Sequence, residues 1–92
     1  MEKILYVISA VGQDRPGLVH SVTQILSDLH INIVDIEARS VRGHFTMFLV
    51  VDLSTSDNDY GGLLQALEPI RSNFNMGIRV EPYVEGLSLI HI

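Results

Sequence analysis

The chain of 92 residues contains no cysteine. That excludes disulfide bridges and thiolate metal sites, and it fits a reducing compartment. Basic residues are also scarce. The six Lys and Arg, at positions 3, 15, 39, 42, 71 and 79, form no run, and the formal net charge is −5. A phosphate backbone repels such a chain, so nucleic acid is not an expected partner. No apolar run approaches the ~20 residues that a membrane-crossing helix needs. Met1-Glu2-Lys3-Ile4 leads straight into a strand pattern without signal-peptide architecture, so a cytoplasmic location and no membrane association are expected. The histidines, His20, His30, His44 and His91, are scattered and lack ligand spacing, so no metal site and no cofactor are expected.

What the chain does have is apolar patterning. Its composition, 47% hydrophobic and 18% charged, belongs to an ordered globular protein, and its length suits one domain, read as a core over 3–84 with a tail over 85–92. Residues 3–11 are apolar on both alternating faces, as in a central strand. Gly12-Gln13-Asp14-Arg15-Pro16-Gly17 interrupts that run. Leu18, Val19, Val22, Ile25, Leu26 and Leu29 then fall on one stripe of a helix expected over 15–30. Asp14 is placed to cap it and Pro16 to sit in its first turn.

Residues 31–42 alternate, with Val34, Ile36 and Ala38 on one side and Asp35, Glu37 and Arg39 on the other. This predicts a strand with one wet face. Arg42-Gly43 marks a tight turn, and residues 44–53 return as a strand apolar on both faces. Tyr60, Leu63, Leu64, Leu67, Ile70 and Phe74 describe a second helix, which Pro69 should kink or interrupt. Residues 77–84 form a last strand, and Pro82 suits an edge.

The order βαββαβ gives an α+β fold, a ferredoxin-like sandwich with a four-stranded antiparallel sheet and two helices on one face. Strands one and three take its centre. Their second apolar face then needs a cover, for which the tail from Leu87 to Ile92 and a second subunit are the candidates.

No nucleophile–base arrangement surrounds Ser9, Ser21, Ser27 or Ser40, so an enzyme is not expected. The anion cradle of an acylphosphatase-like enzyme is absent from the first loop. The strand-borne aromatic signature of an RNA-recognition domain and the Cys-x-x-Cys of a metallochaperone are missing too.

Three segments carry a resemblance: Gly12 to Val19, Asn32-Ile33-Val34-Asp35-Ile36, and Gly43 to Leu53. In this order they resemble the ACT domain. The likeness is to small stand-alone ACT proteins related to the ACT regions of glycine cleavage repressor-like proteins and formyltetrahydrofolate deformylases. It implies a regulatory role: a small metabolite, of the amino-acid kind, held between subunits of a homo-oligomer (dimer or tetramer) that acts on an enzyme or regulator in trans. The ligand-binding residues it implies are Gly12, Asp14, Gly17 and Leu18 from one protomer, with Asn32, Ile33 and Val34 from the next. At Gly12 and Asp14 the chain departs from serine-binding ACT domains, which tend to carry histidine and asparagine there, so the resemblance does not extend to serine specificity.

The residue types fit the same chemistry. Gly17 allows close approach to the helix start, whose free N–H groups accept a carboxylate, and Asp14 can pair with an ammonium group. The alternative reading is an oligomerisation or protein-interaction module that binds nothing small, with Asp14 as a simple cap.

Overall fold

A computed structural model describes residues 3–83. The elements run β1 (Leu5–Gln13), α1 (Leu18–Asp28), β2 (Asn32–Val41), β3 (His44–Asp52), α2 (Tyr60–Phe74) and β4 (Gly77–Pro82). The sheet order is β2-β3-β1-β4, antiparallel throughout. This is the expected ferredoxin-like sandwich, with β1 and β3 central and Pro82 on an edge strand. The tail proposed as a cover lies outside the described residues.

The register explains the core. Ile8 pairs with Leu49 and Val80, and Ala10 pairs with Met47 and Ile78. These residues share one sheet face and are all buried there against Leu18, Val22 and Leu26 of α1 and Leu63, Leu67 and Ile70 of α2. Arg42 and Gly43 both take positive φ, 51° and 82°, as a two-residue hairpin turn between β2 and β3 requires.

Three local expectations need correction. Helix α1 starts at Leu18, not near residue 15, because Gly17 is its N-cap at φ 83° and no side chain caps it. Pro16 therefore lies in the preceding turn, and Asp14 is not a cap. Pro69 does not interrupt α2, which runs unbroken to Phe74. Its missing N–H affects the carbonyl of Gln65, and both residues are exposed, so water can satisfy that oxygen.

The third correction concerns β2, where Val34, Ile36 and Ala38 were expected to be the covered side. Every β2 residue except the half-buried Ile33 is exposed. Ile36 and Ala38 do lie across from the buried Leu49 and Met47, but β2 is an edge strand and beyond Ile33 its residues are exposed on both faces. A bulge between Ile33 and Asp35 leaves Val34 without a partner across the ladder.

Candidate functional site

The loop between β1 and α1 is tied to the far end of the β2–β3 hairpin. The Asp14 amide donates to the Gly43 carbonyl at 2.9 Å, and the Ser40 hydroxyl donates to Asp14 Oδ2 at 2.8 Å. Asp14 is thus held against the end of β2 with a carboxylate still open to solvent. The signal for Ser40 was absent from the sequence, since it lies 26 positions away and meets Asp14 only through the hairpin register. Arg15 reaches back to Gln13 Oε1 at 3.4 Å, a long and exposed contact.

At the helix start, Leu18 N–H donates to the Arg15 carbonyl at 3.4 Å and Ser21 N–H to the Gly17 carbonyl at 2.9 Å. The N–H groups of Val19 and His20 have no protein acceptor among the described residues. They are the donors that a carboxylate would use.

The individual site candidates differ in what they can offer. Leu18 is 2% exposed and its side chain belongs to the core, so only its main chain faces the loop. Gly12 is half-buried, and a Cβ built there would come within 2.5 Å of Met76 Sδ. Its lack of a side chain serves the packing of β1 on the turn before β4. Gly17 has nothing within 4 Å of such a Cβ, so its surroundings are open, while its positive φ still favours glycine.

Asn32, Ile33 and Val34 lie at the opposite end of the sheet. Asn32 pairs with Asp52, whereas Val41 pairs with His44 beside the loop. Nine residue steps along β2 separate the two ends, about 30 Å at ~3.3 Å per residue. One chain therefore does not bring the two halves of the candidate site together.

Near Asn32 the surface is concave. A shallow groove of about 430 Å³ is lined by Ser27, His30, Ile31, Asn32 and Thr55. His30 takes φ 59°, and Thr55 Oγ1 donates to its carbonyl at 2.9 Å. Ser56 Oγ likewise donates to the Leu29 carbonyl. The loop after β3 thus satisfies the carboxyl end of α1 and shapes the groove floor. Sequence reading found only Asn32 of this set.

Asp52, next to this groove in the ladder, is the buried carboxylate of the core's rim. Hydrogen bonds from the Ser54 and Ile4 N–H groups hold its pKa below the ordinary carboxylate value, against the opposing effect of burial. Among the described residues no three His, Asp or Glu side chains gather in a metal-binding group, and no helix is long and apolar enough to cross a membrane.

A ferredoxin-like sandwich with a glycine-bounded loop opening α1 and β2 at the sheet edge defines the class of fold. Within it, the ACT-domain family model matches residues 5–81, and the chain belongs to that family. It is similar to a UPF0237 protein of Methanococcus maripaludis, with 40% identity over 75 residues covering 82% of this chain and 83% of that one. Among solved structures it is similar to an ACT domain protein from Streptococcus pneumoniae, with a TM-score of 0.74 and 25% identity, covering 99% and 98% of the two chains. A formyltetrahydrofolate deformylase from Pseudomonas syringae gives a TM-score of 0.78 at 25% identity, covering 89% of this chain and 28% of that one. The fold and the family are those expected from the three sequence segments.

Proposed function

We propose that the chain is a regulatory ACT module that binds a small amino-acid-like metabolite between two protomers paired through β2. The observation that carries this reading is the layout of β2. Among the described residues it is an unpaired edge with exposed apolar Val34, Ile36 and Val41; it ends beside Asp14 and Ser40, and it begins at Asn32. Two β2 strands paired antiparallel about a two-fold axis set the partner's Asn32 against this protomer's Asp14. The partner's groove then adds walls to a loop that is half a pocket alone.

The two poles of an amino acid have counterparts there. Asp14 takes the ammonium group, and the unpaired N–H groups of Val19 and His20 take the carboxylate. Binding between protomers links ligand to assembly, and through assembly to an enzyme or regulator acting in trans.

The test is a thermal-shift screen of the amino acids and related metabolites against protein refolded free of carried-over ligand. A one-site ligand at 100 times its Kd adds about 2.7 kcal/mol. Each kcal/mol raises the Tm of a domain this size by roughly 4–8 °C. At least one compound is expected to do so, and Asp14→Ala to remove the response. If no compound shifts Tm, the sensing reading fails, and the interaction module that binds nothing small takes its place.

A further inference from the structure

The sheet face away from the helices has a self-complementary pattern. Its centre is apolar: Val7 and Val11 on β1, Phe48 and Val50 on β3, with Val11 56% and Phe48 55% exposed. Its rims are charged and belong to the two edge strands. The register places these residues in level rows. One row reads Glu37, Phe48, Ser9, Arg79 from β2 to β4. The largest apolar side chain of the face thus lies beside a small one. An acid stands at one rim of that row and a base at the other.

We propose that this face is an interface with a second copy of the chain, formed about a two-fold axis that runs parallel to the strands between β1 and β3. That operation keeps every row at its own level and exchanges its ends. Phe48 of each protomer then lies over the partner's Ser9, Val50 over the partner's Val7, and Glu37 opposite the partner's Arg79. A protruding ring meets a small residue twice, and two Glu–Arg pairs close the rims. Packed sheets lie ~10 Å apart, a gap that interdigitating side chains of this kind fill.

Two features favour a second copy over an unrelated partner. The operation sets the large Phe48 over a small residue twice, and it brings Glu37 to the oppositely charged Arg79 at both rims of that row. Glu37 has no ion-pair partner among the described residues, and Arg79 meets only Glu81 at 3.2 Å, both well exposed. The same operation sets Asp35 against the partner's Glu81, since both share the row of Val50 and Val7. That corner is repulsive, so Asp35→Lys should tighten the interface.

This contact is separate from the β2-edge pairing, since it uses the sheet face and not the strand edge. Sedimentation velocity on the full chain tests it. Phe48→Asp is expected to weaken association at the face by about 30-fold or more, the effect of losing a central aromatic anchor. Glu37→Arg is expected to weaken it, and Glu37→Arg combined with Arg79→Glu to restore it. All three positions are exposed, and circular dichroism verifies that each variant is folded.

A wild-type chain that stays monomeric overturns the proposal. So does an assembly that Phe48→Asp leaves intact, or a charge exchange that fails to restore one. The edge reading is tested apart, by Ile36→Lys. Loss of assembly in Ile36→Lys alone supports the edge and removes the face, whereas loss in Phe48→Asp alone does the reverse.

Discussion

Asp52 shows how one side chain ties two segments to the sheet end. It is 7% exposed, and its Oδ1 accepts N–H groups from Ser54 at 2.9 Å and Ile4 at 3.0 Å. Both bonds favour the ionised form and outweigh burial, so the folded pKa lies below the ordinary carboxylate value. A carboxylate whose pKa is depressed on folding stabilises the fold above its unfolded pKa, ~3.9. That stabilisation is lost as the pH falls through the lower folded value. Asparagine keeps an acceptor but has no charge. Asp52→Asn is therefore expected to be less stable than wild type by about 1 kcal/mol at pH 7, the difference between a charged and a neutral hydrogen bond. In urea titrations the gap should close as the pH falls below ~4. A gap that stays constant down to pH ~2 would contradict this account of Asp52. Gly17 works differently at the same scale. Its φ of 83° disfavours any side chain although space is open, so the conformation, rather than crowding, selects glycine there.

The two helices begin by different means, and this separates two aspartates. Asp59 caps α2, where its Oδ1 accepts the Gly62 N–H at 2.9 Å. Asp14 caps nothing and holds Ser40 instead, at an exposed position. Asp59→Ala is thus expected to cost about 1 kcal/mol, while Asp14→Ala stays within ~0.5 kcal/mol, as exposed substitutions usually do. Urea midpoints of the two variants check this, and a reversed order would mean that Asp14 has a structural role its contacts do not show. The elements themselves were legible because hydrophobic periodicity is a local property. Leu18, Val22 and Leu26 mark α1, and Phe45, Met47, Leu49 and Val51 mark the inner face of β3. Apart from the backbone angle of Gly17, what escaped was non-local. The Gly17 cap depends on a backbone angle, the bulge at Val34 on pairing with β3, and the Asp14–Ser40 contact on the hairpin register. Of the site, the loop and Asn32 could be located, but their separation along β2 and the groove around His30 and Thr55 could not.

At the scale of the whole molecule, 17 buried hydrophobic residues among the described ones fill the layer between the helices and the sheet. Two apolar surfaces stay outside that core: the β2 edge with Val34, Ile36 and Val41, and the outer face with Val11 and Phe48. A chain of this length buries a modest share of its unfolded surface by itself. Covering either surface with another copy adds stability that depends on mass action, because only the folded chain presents a paired edge or an ordered face. For a dimer that unfolds to two chains, each tenfold rise in protein concentration adds about 1.4 kcal/mol per dimer, or roughly 0.7 kcal/mol per chain. At roughly 4–8 °C per kcal/mol, this amounts to about 3–6 °C in Tm per decade. Scanning calorimetry from about 1 to 100 µM should show that slope in wild type. Phe48→Asp or Ile36→Lys should flatten it in part, and the two together should abolish it. A metabolite bound between protomers must steepen association by the same factor that association raises its affinity. The ligand-induced Tm shift should therefore fall in Ile36→Lys and persist in Phe48→Asp. If wild-type Tm does not change with concentration, neither surface pairs chains over that range, and the composite pocket across β2 has no second half.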